Sequence, residues 1–252
     1  MYTSTGVAHS DRIKATETAF DILDYIHDSE GATARAIAEE TTLSRQGVYK
    51  HLRALEAADA VQNQNGTFVL GAKLAEYGLT VRDRNTIYAR YRSDIDDLAV
   101  SLDAPVNYWS LEERECLCLY TSLPAEGREN PRNQGDSEPL VDNTPGNTIL
   151  AEYDSDERSA IVKEYAEALD LEEIRSQIQT VEERGLLIQA LANEPDWVSI
   201  STAICRPSGE PEGAVEVVMP HQRARGIDIE VHVAGSLLDA VDKIELDIFS
   251  NE

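Results

Sequence analysis

Hydrophobic positions change period several times along the chain, and each change marks an element. Ile13, Thr16, Phe20, Leu23 and Ile26 fall on one face at helical spacing and predict a helix over roughly Ile13–Asp28. Gly31 punctuates it. A second helix is expected over Thr33–Glu40, with Thr33 as N-cap and Ile37 and Ala38 inward. After the short turn Thr41-Thr42-Leu43, Ser44 is a good N-cap for a third helix reaching about Ala58, with Val48, Leu52 and Leu55 as its buried stripe. Two short strands, Val61–Gln64 and Thr67–Leu70, flank Asn65-Gly66. That dipeptide suits a type I′ hairpin because both central residues take positive φ. Three helices, a three-residue turn between the second and third, and a hairpin make a winged helix-turn-helix.

The stretch LAEYGLTVRDRN then reads as a helix, a semi-rigid joint to a second domain. The expected organisation is a disordered N-terminus over 1–11, a winged helix-turn-helix over 12–72, a linker helix over 73–87 and the second domain over 88–252. In that domain Tyr88–Leu102 is helical, with Tyr91, Ile95, Leu98 and Leu102 on one face. Val106–Leu111 and Cys116–Ser122 are strands joined by the turn Glu112-Glu113-Arg114. Residues 124–139 form a polar loop, long enough to suspect function or disorder. Helices are expected over Gly146–Tyr153 and Asp156–Leu169, and a third through Leu171, Ile174, Ile178 and Val181. Leu186–Leu191, Trp197–Cys205 and Gly213–Met219 read as strands, and Ile229, Val233, Leu237, Ala240, Ile244 and Ile248 line a final helix. Helices at both ends around about five strands predict an α+β sensor-type domain.

Composition narrows the function classes. The 252 residues are enough to bury a core without disulfide or metal staples. No apolar run approaches the roughly 18 residues of a membrane helix. Met1 to Asp11 lacks the apolar stretch of a secretory signal. Three cysteines, Cys116, Cys118 and Cys205, are an odd, sparse set that fits reduced thiols and a cytoplasmic home. Charge changes the picture most: 22 Lys and Arg against 47 Asp and Glu leave a net −25. Only Lys14, Lys50, Lys73, Lys163 and Lys243 are lysines. A folded, acidic, lysine-poor chain fits an extreme halophile, where molar salt cuts the Debye length to about 3 Å and screens self-repulsion. An ordinary acidic mesophile protein is the alternative. The acidity is uneven, with a net −4 over residues 1–72 and −21 over 73–252.

Candidate chemistry is sparse outside the third helix. The five histidines are scattered, and HExxH, GxSxG, P-loop and GxGxxG patterns are absent, so neither an enzyme nor a cofactor or metal is expected. Cys116 and Cys118 lie two apart on a strand and share a face. They are read as small core residues over a thiol metal or redox pair, because no zinc-ligand spacing accompanies them. The third helix carries Arg45, Gln46, Tyr49, Lys50 and Arg53 on its outward side. Such residues reach base edges and phosphates from the major groove, although a solvated face would carry them too. Gly47 costs that helix about 1 kcal/mol, which close backbone approach to DNA would justify. Asn63, Gln64 and Asn65 at the wing tip can reach the backbone or minor groove. In the strand 197–205 one face carries Val198, Ile200, Thr202 and Ile204. The other carries Ser199, Ser201 and Ala203, either a small polar pocket wall or an exposed sheet face.

These residues resemble the IclR family of transcriptional regulators over nearly the whole chain. The block AFDILDYIHDSEGATARAIAEETTLSRQGVYKHLRALEAADAV is similar to the family's winged helix, and TFVLGAKLAEYG to its wing exit and linker helix. PLVDNTPGNTILAEY, VEERGLLIQ, SISTAIC and GAVEVVMPHQR match the family's later segments in order. The resemblance implies a GAF/profilin-like α+β effector-binding domain over 88–252. It also implies a homodimer or dimer of dimers on palindromic double-stranded DNA, a small organic effector, and no membrane. The expected DNA-contact set is Thr33, Ser44, Arg45, Gln46, Tyr49, Lys50, Arg53 and Asn65. The expected ligand set is Thr144, Pro145, Gly146, Asn147, Gln189, Ser199 and Ser201. Asn147 stands where the family usually has Lys, Gln189 where an acidic residue is common, and Glu216 and Val218 where small hydroxyl residues stand. A Glu in or near the pocket would repel an anion. A neutral ligand such as a sugar derivative, or loss of ligand response, is therefore expected. Two alternatives stand beside this reading. One is a constitutive DNA-binder whose degenerate pocket serves only dimerisation. The other is a ligand-binding or catalytic α+β protein whose helical head contacts protein.

Overall fold

The computed structural model describes residues 13–141, 143–165, 170–226 and 228–251. The segment expected to be disordered, 1–11, lies outside them, as do residues 166–169 at the end of the helix expected over Asp156–Leu169. The chain divides into two compact units between Arg84 and Asn85.

The first unit runs α1 (Lys14–Asp28), β1 (Ala32–Thr33), α2 (Ala34–Glu40), α3 (Arg45–Ala57), β2 (Val61–Gln64), β3 (Thr67–Leu70) and α4 (Ala72–Arg84). Its strands form an antiparallel sheet in the order β1-β3-β2. The Asn65-Gly66 turn has positive φ at both residues, as the hairpin requires. Asn63 Oδ1 fastens it by accepting the Gly66 N–H at 2.8 Å. The core gathers Ile22, Leu23 and Ile26 of α1, Ile37 of α2, Val48 and Leu52 of α3, and Val61 and Phe68 of the hairpin. The face expected for the first helix is corrected here. Ile13 and Phe20 are 70% and 61% exposed, because the first half of α1 overhangs a core only wide enough to cover its second half. The two-residue β1 is an addition to the expected elements. It is too short to carry a period, and exists because Ala32 and Thr33 pair with Phe68 and Thr67 of the hairpin.

The second unit opens with α5 (Thr86–Leu102), whose start is fixed by Asn85 accepting the Tyr88 N–H. Next come β4 (Val106–Glu112), β5 (Glu115–Ser122), β6 (Ser137–Pro139), α6 (Thr144–Ala151), α7 (Ser155–Glu164) and α8 (Leu171–Arg184). After these stand β7 (Leu187–Ala190), β8 (Trp197–Cys205), β9 (Pro211–Pro220), the short α9 (His221–Ala224) and α10 (Gly235–Asn251), entered through a wider turn at Glu230–Ala234. The sheet has six antiparallel strands, in the order β6-β5-β4-β9-β8-β7, one more than expected. The addition is β6, which lies in the polar loop and pairs with Glu115–Leu117.

Alternation along the strands divides the apolar residues between two layers. Tyr108, Ile200, Val215 and Val217 pack under α5 and α10. Trp109, Cys116, Cys118 and Ala214 pack under α6, α7 and α8. Helices cover both sheet faces, which makes this an α+β unit of three layers. The Ser199–Ala203 face is therefore neither open to solvent nor an empty wall. Ser199 and Ser201 are fully buried, and Ser201 Oγ lies 3.3 Å from Thr148 Oγ1 on α6.

Cys116 and Cys118 are fully buried in that second layer. Burial pushes both thiols up, Cys118 to about 12. Cys205 is also raised, by burial first and by Glu152 and Glu245 beside it. The thiolate is the reactive form, so all three should be inert when folded. At pH 8 a chromogenic disulfide reagent should titrate essentially no thiol in the native protein and all three of the chain's cysteines after denaturation. Rapid labelling of the folded chain would contradict this packing.

Candidate nucleic-acid interface and effector cavity

In the first unit, local hydrogen bonding places the outward residues of α3. Ser44 Oγ accepts the Gly47 N–H at 3.2 Å and fixes the helix start, as Thr33 Oγ1 does for α2 by accepting the Ala36 N–H. Both hydroxyls keep a proton to donate outward. With Val48 and Leu52 buried, Arg45, Gln46, Tyr49, Lys50 and Arg53 are exposed on the opposite side. Among the described residues no carboxylate pairs with Arg45, Lys50 or Arg53, whereas Arg35 on α2 is taken by Glu39 at 2.7 Å. Gly47 has no internal steric reason to be glycine. A Cβ there would meet Ser44 Oγ at 3.5 Å and Leu43 Cβ at 3.7 Å, ordinary contact distances. Asn65 is exposed at the wing tip.

The second unit is organised around Glu216. This carboxylate sits on β9 with no exposure. Its Oε2 accepts from Trp109 Nε1 at 2.8 Å and Asn107 Nδ2 at 3.1 Å. Its Oε1 accepts from Ser199 Oγ at 2.6 Å and from Arg132 Nη2 and Nε at 3.1 and 3.3 Å. Arg132 also gives Nη1 to Glu138 Oε1 at 2.7 Å and lies over the Trp109 ring, 5.0 Å from its centre. Burial works against the guanidinium charge, but Glu216 and Glu138 outweigh it and hold Arg132 above its ordinary value. Burial raises Glu138 against the pull of Arg132.

Arg132 is also a wall of a cavity of about 420 Å³. The other side is formed by Gln189 on β7 and by Ala192, Asn193 and Glu194 just after it. β6 and β7 are opposite edges of the sheet, so the sheet curls until both edges border one space. Of the expected ligand residues, Thr144 and Gln189 line this cavity. Pro145 and Gly146 are buried in the first turn of α6, where Asn143 caps the helix by accepting the Gly146 N–H at 2.7 Å. A Cβ on Gly146 would come within 2.9 Å of the Leu140 backbone, so that turn needs a glycine. Asn147 is fully buried and donates to Gln177 Oε1 at 2.5 Å. Ser199 and Ser201 do not line the space. Ser199 reaches it only through Glu216 and Arg132, and Ser201 donates to the Val215 carbonyl.

Comparison with known proteins agrees with both units. Residues 15–62 match the model of a helix-turn-helix domain. A probable HTH-type transcriptional regulator, ArcR, of Halobacterium salinarum is 23% identical, over 93% of this chain and 94% of its own. The solved IclR transcriptional regulator of Alicyclobacillus acidocaldarius superposes with a TM-score of 0.78 at 18% identity, covering 94% of this chain and 99% of that one. The chain has the fold of the IclR transcriptional regulators. A third relative with this IclR fold, from Microbacterium hydrocarbonoxydans, was solved in complex with 4-hydroxybenzoate. It gives a TM-score of 0.74 at 17% identity over 94% of this chain and all of that one.

Sequence reasoning missed Arg132, Glu138, Asn107 and Trp109, and singled out Ser199 without its partner Glu216. A signal was present. Glu216 interrupts the apolar run GAVEVVMP, and a carboxylate in such a strand must find a cation and donors. What the sequence withheld is which arginine comes. Removing one partner of a buried pair strands the other charge, a loss of about 3–5 kcal/mol. Arg132→Met should therefore lower the stability of this second unit by that amount, and adding Glu216→Gln should restore most of it. Both tryptophans, Trp109 and Trp197, belong to this unit, so tryptophan fluorescence during urea unfolding reports it alone. Equal losses in the single and double variants would show that the pair does not hold the unit together.

Proposed function

We propose that the protein is a sequence-specific, non-enzymatic transcription regulator of the IclR type. In this reading α3 enters the major groove of a palindromic operator as one of two copies, and a small effector in the second unit's cavity controls the DNA-binding arrangement. The observation that carries the reading is the outward side of α3. In a chain with 47 carboxylates, three cations on one capped helix stand without a carboxylate partner among the described residues. Surface cations in so acidic a protein gain from pairing, and phosphate or base edges are the partners that match Arg45, Lys50 and Arg53. Gly47 supports the same reading, since nothing within the unit calls for a missing side chain at that point.

Among the described residues no helix is long and apolar enough to cross a membrane. We assign the protein to the cytoplasm, acting as a homodimer or dimer of dimers, with α4 as the connection through which an effector acts on the reading heads. The effector does so to the extent that it binds one arrangement better than the other.

The test is fluorescence anisotropy on the promoter DNA beside the protein's own gene, against scrambled DNA, in about 2 M KCl, where non-specific electrostatic binding is weak. Arg45→Ala and Lys50→Ala should each weaken specific binding about 10-fold or more while gel filtration shows assembly unchanged. Gly47→Ala should raise the melting temperature, because alanine favours the helix by about 1 kcal/mol, and should weaken DNA binding. If none of the three changes affects specific binding, α3 is not the reading helix.

A further inference from the structure

We propose that the cavity between the two sheet edges takes a small hydrogen-bond-donating cation, an amine- or guanidinium-bearing compound, and excludes carboxylates. The proposal deepens the effector reading above and rests on it. Three observations carry it. The first is the charge of the wall. Asp136, Glu138 and Glu194 line the space against one cation, Arg132. The second is that Arg132 is already committed. Its Nη1 serves Glu138, its Nη2 and Nε serve Glu216, and its plane lies over Trp109. An incoming carboxylate would have to displace one of two resident carboxylates and sit beside the other. The 4-hydroxybenzoate bound by the Microbacterium hydrocarbonoxydans relative is an anion of the kind this wall rejects.

The third observation gives the sign of the missing partner. Glu138 Oε2 is buried with no hydrogen-bond partner among the described residues, and so is Gln189 Oε1. One belongs to β6 and the other to β7, and both residues line the cavity. A carboxylate oxygen only accepts, so the group that completes Glu138 must donate. A buried acceptor left unmade is costly, and an occupant with N–H groups toward both edges offers the donors that a small turn of each side chain into the space would bring within reach. A space of about 420 Å³ is the size of a small-metabolite site.

The full-length protein would be melted in 2 M KCl with agmatine, putrescine or cadaverine, and separately with 4-hydroxybenzoate, all at 10 mM, and titrated by calorimetry with whichever compound shifts it. At least one of the three cations should raise the melting temperature by about 2–4 °C. Glu138→Gln should reduce its affinity about 10-fold, and 4-hydroxybenzoate should do nothing. Gln189→Leu serves as the second variant, with a similar loss, should Glu138→Gln fold poorly. No shift from any of the three cations overturns the proposal. So does a shift from 4-hydroxybenzoate, or a cation shift that survives in both variants. Operator binding by α3 is measured separately and without these compounds, so failure here leaves the DNA-binding reading standing, and the reverse.

Discussion

The buried carboxylate of Glu216 is the constraint on which the second unit's functional geometry depends. An ionised side chain with no exposure is tolerable only with its charge matched and its lone pairs filled. Here the donors come from three separate stretches of chain: Asn107 and Trp109 on β4, Ser199 on β8, and Arg132 in the long loop before β6. Meeting that requirement pins the loop to the sheet. Asn130 adds to the hold by donating to Asn107 Oδ1, which also accepts from Thr121. Once Arg132 is fixed, Glu138 is drawn to its free edge, and β6 is held where one wall of the cavity has to be.

Charge imposes a different economy on the first unit. A chain with net −25 has an oversupply of carboxylates for its cations, and most arginines of the second unit are spent accordingly. Arg128 pairs with Asp103, Arg158 with Glu182, and Arg184 with Glu230. The outward side of α3 departs from that pattern. Residues 1–72 carry a smaller acidic excess, net −4, and among the described residues no carboxylate pairs with Arg45, Lys50 or Arg53. At molar salt this would matter more than total charge. Counterion release contributes little there, so recognition has to come from base contacts and fit.

Whatever is set by near neighbours could be read from the sequence. Ser44 and Thr33 as helix caps, Asn65-Gly66 as the hairpin turn and the two-faced β8 each depend on a few adjacent residues, and each is found in the structure. What could not be read depends on residues far apart in the chain. Phe20 has the spacing of a core residue but lies beyond the reach of a small core. β6 exists only because β5 offers it an edge. Ser199 stands out in the sequence as polar chemistry on a strand, but its partner is the protein's own Glu216. The sequence marks that carboxylate as a repulsive element. Its neutralisation by Arg132 is not legible there, because the two are 84 positions apart and only the curled sheet brings them together.

That curl also bears on how an occupant could be felt. In a flat six-stranded sheet β6 and β7 would stand at opposite ends, each with an unpaired edge open to solvent. Here both border one cavity, so contacts to Glu138 and Gln189 span the full width of the sheet through every strand between them. A molecule touching both edges would shift the sheet's curl only if it bound one degree of curl better than another. α6 is buried along its entire length against β8 and β9, and α5 and α10 cover the other face, so a change in curl cannot be absorbed by the sheet alone. Tightly packed layers respond to such a bias by shifting between discrete arrangements. The energy available for the shift is limited to the difference in the occupant's affinity for the two arrangements. The unfilled acceptors are where that difference would arise, because an acceptor already satisfied in the empty protein would gain nothing from an occupant.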